Sequence, residues 1–271
     1  MKRLSTLFVL IFGLIGIVGC SNDYTPKHNS LNSTQSRKIA KITNTYYEDN
    51  EYVGDCITTF TYDNLDRIVM ISYKDSPNQY DLYITYVDEH KIEIQTIYNE
   101  WDKGDIVYGE LNDRNYLSTI HSQYGFATNY EYNYNGYLCY SNIIDTSIYY
   151  NWNGGNLTSV LESNEDGECN YTMKYNSKVL PNINIDLSKY VLSDPEMDIE
   201  VAFLGYFDSY AINCIELSGA FNKNSVIEVY TPWDDNMSYN WSYDIMGYPK
   251  SCIGKYIDDD SWYVKYEFEY L

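Results

Sequence analysis

Basic residues are scarce in this 271-residue chain, where 18 lysines and arginines stand against 39 aspartates and glutamates, a net charge of −21 with histidine neutral. A field of that sign makes nucleic acid and anionic surfaces poor partners. Histidine is scarcer still: His28, His90 and His121 lie far apart with no partner at metal or triad spacing, so each reads as an ordinary surface or core histidine. No Gly-x-Ser-x-Gly elbow, phosphate loop, Gly-x-Gly-x-x-Gly or His-Glu-x-x-His is present, which removes the commonest hydrolase, nucleotide and zinc signatures. No catalytic residue, metal or other cofactor is therefore expected. Acidic runs such as Asp258-Asp259-Asp260 read as turns, because a glycosidase pair needs a defined separation across a cleft. Between Lys38 and about Ser177 there is also no stretch resembling an amphipathic helix of ordinary length.

Tyrosine is abundant, at 33 residues, and it recurs in a sentence that the chain repeats. Thr59-Phe60-Thr61-Tyr62 runs into Asp63-Asn64-Leu65-Asp66 and leaves as Arg67-Ile68-Val69-Met70-Ile71; variants surround Asp88, Asn112, Asn133, Asn153 and Asp244. The first aliphatic residues after the turns, Ile68, Ile92, Leu117, Leu138 and Leu157, mark one hairpin per repeat. Side chains alternate across a strand. One face thus collects Tyr130, Tyr132 and Tyr134, and likewise Phe60/Tyr62, Ile148/Tyr150/Trp152, Tyr171/Met173/Tyr175, Tyr239/Trp241/Tyr243 and Tyr266/Phe268/Tyr270. Tyrosine suits such a face because its ring packs while its hydroxyl finds a polar partner. Asn135-Gly136 reads as a two-residue hairpin pair, and Asp63–Asp66 and Asn153–Asn156 supply residues tolerant of positive φ. Apolar residues at i and i+3 in Ile39/Ile42, Ile68/Ile71, Leu117/Ile120 and Leu157/Val160 would face opposite ways on a regular strand, which predicts a bulge or strong local twist at these places.

Residues 1–19 read as an export signal: Lys2-Arg3, an apolar run too short for a membrane span, then Ile17-Val18-Gly19-Cys20-Ser21. This end resembles the lipoprotein signal-peptidase site, which implies cleavage before an acylated Cys20, and Ser21 resembles outer-membrane sorting. Removing Lys2 and Arg3 leaves 16 basic against 39 acidic residues, 16 − 39 = −23. Residues 20–37 are a polar tether and 38–271 one hairpin-repeat domain. An insert at about 181–210 breaks the repeat and reads as a plug or lid over the concave face, or else as one irregular strand pair; hairpins are expected to resume from Ala211. Cys56, Cys139, Cys169, Cys214 and Cys252 allow at most two bridges, and buried free thiols are as compatible with their placement.

The lipobox, the repeated hairpins, the Asn-Ile-Asn-Ile-Asp-Leu segment at 182–187 and the closing Tyr243–Tyr248 and Tyr266–Tyr270 motifs resemble a family of uncharacterised lipoproteins of gut anaerobic bacteria, a domain of unknown function. That resemblance implies a porin-like fold. More distantly, Tyr62-Asp63 through Arg67-Ile68 resembles tyrosine-aspartate repeat proteins, although Asp66 stands at the repeat's glycine. Neither supplies a catalytic residue.

The expected architecture is all-β, a many-stranded antiparallel meander curled into a barrel or half-barrel with the aromatic ladder inside. A membrane-spanning barrel is the competing architecture. It is disfavoured because Asn129, Glu131, Asn133, Lys265, Glu267 and Glu269 would then line the outer wall. The turns at the end opposite Asp63–Asp66 collect acidic residues together with Trp101 and Trp233. Trp101, Trp233, Asp234 and Asp235 are accordingly the candidate ligand-binding residues, for a glycan or peptide at an acidic, aromatic rim. The expected role is a non-catalytic lipoprotein of the cell envelope, lipid-anchored and outer-membrane, with its domain on the periplasmic or surface face. The alternative is a structural or assembly component that contacts another envelope protein.

Overall fold

The computed structural model describes residues 37–75, 78–99, 102–122, 125, 127–143, 145–194 and 210–271. Residues 1–36 with Cys20, Trp101 and the run 201–207 fall outside the described residues. The strands of the first half are β1 Ile39–Glu48, β2 Glu51–Tyr62, β3 Ile68–Asp75, β4 Asn78–Tyr86, β5 Lys91–Asn99, β6 Asp102–Leu111, β7 Leu117–Ser122 and β8 Ala127–Tyr132. Those of the second are β9 Leu138–Ile143, β10 Thr146–Asn153, β11 Asn156–Asn164, β12 Gly167–Val179, β13 Asn224–Tyr230, β14 Met237–Tyr243, β15 Pro249–Tyr256 and β16 Trp262–Tyr270. Each pairs antiparallel with its sequence neighbours, and β1 pairs with β16, so the sheet closes and leaves no free edge.

Four turns share one construction. Asp63, Asn112, Asn133 and Asp244 each accept, through the side-chain oxygen, the amides two and four residues on. The fourth residue of each turn donates its amide back to the first residue's carbonyl and has positive φ: Asp66 (68°), Asn115 (63°), Gly136 (87°) and Gly247 (89°). This is a type I turn followed by a left-handed residue. Asn135-Gly136 is therefore not a two-residue primed turn, since that geometry needs positive φ at both positions and Asn135 lacks it. The primed pairs are Asp49-Asn50 and Gly154-Gly155. The longer loop also carries Tyr134 past the end of β8, where it is exposed rather than part of the inward ladder.

Leaving these turns, the register shifts by one residue: Tyr62 faces Ile68 but Thr61 faces Met70, and Trp152 faces Leu157 but Asn151 faces Ser159. The same happens at Leu117, Leu138 and Pro249, so the bulges expected from the i, i+3 spacing are present and put both aliphatic residues inside. A bulge frees a carbonyl from the ladder, and a freed carbonyl near the core needs a donor. Aromatic side chains ending the neighbouring strand supply it: Tyr62 Oη to Ile39 O at 2.6 Å, Trp152 Nε1 to Leu138 O at 2.7 Å and Tyr270 Oη to Pro249 O at 2.7 Å. The aromatic-turn-aliphatic repeat is thus one mechanical unit. Its aromatic end caps the bulge on the preceding strand.

The ladder faces inward. Phe60, Tyr130, Tyr150, Tyr171, Tyr239 and Tyr266 are buried, whereas the outward positions of the same strands carry Asn129, Glu131, Glu267 and Glu269 in solvent. Outward charges pair across neighbouring strands, as in Lys174–Glu228 at 2.7 Å and Lys41–Glu269. Tyr132 keeps its ring against Tyr116, centroids 5.2 Å apart, and under the insert. Tyr132→Ala is expected to cost about 3 kcal/mol in urea unfolding, the lower end for large aromatic truncations because the residue is only half-buried. A loss below about 1 kcal/mol would mean this ring carries no core packing. No disulfide joins any two of the five described cysteines, and Cys56, Cys214 and Cys252 are buried.

The described part of the segment between β12 and β13, residues 180–194 and 210–223, lies inside the barrel. It contains one short helix, α1 Leu187–Leu192, whose six residues are all buried, and two 3₁₀ turns at Tyr210–Cys214 and Glu216–Ser218. Hairpins resume only at Asn224, not at Ala211, because Ile212, Cys214, Ile215 and Leu217 belong to the plug's own buried face.

Candidate functional site

Alternation of an antiparallel barrel gives two rims. Both ends of the domain, the insert and the Asp63, Asn112, Asn133 and Asp244 turns share one, the insert rim; the Asp49-Asn50, Glu165-Asp166, Thr231–Asn236 and 257–261 turns share the other.

The plug is held from inside by polar contacts to the wall along the arc from β14 through β16 and β1 to β2. Tyr190 Oη lies 3.0 Å from Thr58 Oγ1 on β2, and Tyr239 Oη of β14 donates to Val191 O at 3.3 Å. Buried Asp194 accepts from Asn44 Nδ2 at 3.1 Å and from Tyr266 Oη at 2.9 Å. Asp186 caps α1, accepting from the Ser188 and Lys189 amides, and also accepts from the Asn222 backbone and side chain. Burial raises its carboxyl pKa, a rise that Lys189 and these amide donors only reduce. Burial pulls the Lys189 ammonium down to about 8 although Asp186 favours its charge. Lys189 Nζ donates to Ser218 O at 3.1 Å and Oγ at 3.0 Å. This pair joins the descending and returning arms of the plug. Its place is the interior, out of reach of a ligand.

Where the returning arm meets the insert rim, it leaves a cavity of about 520 Å³ between three hairpin turns. Arg67, Tyr86, His90, Arg114, Tyr116 and Glu216 line it. Arg67 is fixed by Asp63, 2.7 Å away, and lies over the Tyr86 ring at 4.0 Å. Glu216 is the plug's contribution; partial desolvation raises its carboxyl pKa, while Arg67 acts the other way. The lining mixes carboxylates, guanidiniums and tyrosine faces, a set able to exchange hydrogen bonds in both directions with a polyhydroxy ligand. None of these residues was a candidate from sequence. The cavity exists only because the plug returns beside β2–β7, and local pattern does not encode that placement.

On the opposite rim, Trp233, Asp234 and Asp235 all lie exposed in the β13–β14 turn. Trp233 is 58% exposed and meets Tyr171 edge to face, with ring centroids 6.0 Å apart. Asp234 takes positive φ (67°), and Asn236 closes the turn by accepting from the Thr231 amide. Trp101 and the lipidation candidate Cys20 are not among the described residues. Asp258, Asp259 and Asp260 are exposed, with Asp259 accepting from the Ser261 amide and Asp260 paired to Lys255. Among the described residues no group of three or more His, Cys, Asp or Glu side chains is placed to hold a metal.

No protein-family model and no curated protein matches this chain. Among solved structures it is similar to a porin-like protein from Bacteroides uniformis, at 14% identity and a TM-score of 0.59, over 86% of this chain and 98% of that one. The chain has a porin-like barrel fold, with its bore occupied by its own insert.

Proposed function

We propose that this chain is a non-enzymatic envelope lipoprotein, acylated at Cys20 and attached to the outer membrane, whose barrel serves as a rigid binding body and not as a channel. The observation that carries this reading is the outer wall: Glu131, Lys174, Glu228, Glu267 and Glu269 occupy positions that hydrocarbon would have to cover in a spanning barrel. Basic residues on a lipid face cost about 2–4 kcal/mol each near the bilayer centre, with acidic residues less but additive. The filled bore agrees with it. Deleting Met1 to Tyr24 is expected to give a monomeric, folded protein that needs no detergent. Aggregation relieved only by detergent would restore the spanning barrel.

The ligand in this reading is a glycan or peptide at the acidic rim, with Trp233 stacking and Asp234 and Asp235 accepting hydroxyl or amide donors. Concavity favours a second reading, in which the ligand enters the cavity beside Glu216. Screening a glycan and peptide array separates them. Trp101→Ala with Trp233→Ala abolishes binding in the first case, Arg114→Ala with Glu216→Gln in the second. Both pairs retaining full binding would exclude both sites. Assembly with another envelope protein through strand addition is disfavoured, since a closed barrel offers no edge.

A further inference from the structure

The two rims differ in charge. Acidic side chains dominate one of them, where Glu48, Asp49, Glu165, Asp166, Asp234 and Asp258 stand exposed in successive turns. On the insert rim, acidic and basic groups are nearly matched: Asp63 is held by Arg67, Asp66 by Lys38 and Asp244 by Arg37, while exposed Asp88, Glu89, Asp113 and Glu216 stand against Lys91, Arg114, Lys178 and Lys223. The protein's excess negative charge is therefore displaced toward one end. An anionic surface repels that end and tolerates the other.

The tips of the insert rim are apolar where turn geometry does not ask for it. Leu65 (66% exposed), Tyr134 (66%), Ile245 (104%) and Met246 (62%) occupy central positions of the type I turns, which accept most residues, and Val87 projects from the β4–β5 turn between them. Exposed isoleucine and methionine side by side, with exposed apolar residues on separate loops of the same rim, form a crown uncovered by the described residues. The chain also enters β1 at this rim, through Arg37 and Lys38.

We infer that the insert rim docks on a lipid bilayer, with Leu65, Tyr134, Ile245 and Met246 seated among the headgroups and the Lys and Arg side chains between them meeting lipid phosphates. Medium-sized apolar side chains flanked by cations suit that interface, and the acidic rim then points outward. The direction of docking agrees with the anchoring proposed above and rests on it only in that the same membrane is meant. In this pose the cavity beside Glu216 looks at the headgroups and Trp233 looks away from them.

The test uses the full chain bound to vesicles of phosphatidylethanolamine and phosphatidylglycerol, read by amide hydrogen exchange. Amides at 64–66, 134–136 and 245–247 are expected to slow by about fivefold or more on vesicles, while those at 234–236 and 258–260 keep their solution rates. Protection of the acidic turns, or of neither rim, overturns the proposal. A Leu65→Ser, Ile245→Ser, Met246→Ser chain changes only exposed side chains, so it should keep its melting temperature and lose the protection. Retained protection in that chain overturns the proposal as well. Anchoring is read separately, by incorporation of labelled palmitate and its loss in Cys20→Ser. Absent acylation ends the anchoring reading, and the exchange pattern of vesicle-bound chain still decides the docking face.

Discussion

Raising the pH from about 9 to about 11 is expected to unfold the barrel cooperatively. Tyr46, Tyr130, Tyr132, Tyr150, Tyr175, Tyr239 and Tyr266 have phenols held above their usual range chiefly by burial, with Asp194 adding to the effect at Tyr46 and Tyr266. In the unfolded chain each ionises near pH 10. Because the folded values are raised, the stabilising contribution is complete below pH 10 and is lost as the pH rises beyond it. At pH 11 an unfolded phenol gains about 1.4 kcal/mol that its protonated folded counterpart does not, so seven together remove about 10 kcal/mol. That is comparable with the whole stability of an ordinary domain, about 5–15 kcal/mol. Lys189 acts in the opposite sense, since its folded value near 8 lies below 10.5 and its contribution is present above the unfolded value. One such group does not offset seven. Tyrosinate absorbance and far-ultraviolet circular dichroism should change together in one steep transition. Phenols that titrate smoothly near pH 10 while the strand signal persists would show that the ladder is wet.

The ladder itself was legible in the sequence because it depends on a period of two, and the barrel turned Phe60, Tyr130, Tyr150, Tyr171 and Tyr266 inward as that period requires. The bulges were legible for a related reason. An apolar pair such as Leu157 and Val160 can share a face only if one residue is inserted between them, and Thr158 is that residue. What local pattern did not contain was the partner of each aromatic tip. Trp152 donates to Leu138 O across the hairpin, a contact visible only once the freed carbonyl has a position. The insert was recognisable by the break in the repeat, yet its extent was not, because Cys214, Ile215 and Leu217 are as apolar as a strand and are buried against the plug instead. The cavity lay one step further out of reach. Arg67 and Tyr86 come from one hairpin pair, Arg114 and Tyr116 from another and Glu216 from the plug, so the site is a product of closure and of where the plug returns. The acidic rim needed only hairpin direction, which is why Trp233 and its aspartates could be placed at one end before any coordinates.

Gly219→Ala is expected to destabilise the protein by about 4 kcal/mol or more, placing it among the most damaging single substitutions available. Gly219 follows the second 3₁₀ turn with φ 90° and ψ −163°, a conformation essentially restricted to glycine, and a side chain there costs about 1–3 kcal/mol in backbone strain alone. Space is absent as well. A Cβ at this position would lie 2.6 Å from Tyr132 Cε1 and 2.7 Å from Gly136 O. The ring can be displaced by rotation, but the carbonyl is not free to move: Gly136 O accepts the Ala220 amide at 2.8 Å, the bond that seats the returning arm against the Asn133 turn. Relieving the clash therefore means breaking that bond, and with it the seat of Ser218, which holds Lys189. Gly247→Asn supplies the comparison. Gly247 also has positive φ, but only the end of Lys178 lies within 4 Å of its Cβ direction, and Asn115 occupies the matching turn position elsewhere in the barrel. Its substitution should cost less than about 1 kcal/mol, because asparagine adopts the left-handed region with little strain. Equal losses for the two variants in urea unfolding would mean that positive φ alone sets the cost and that the plug is not locked at Gly219.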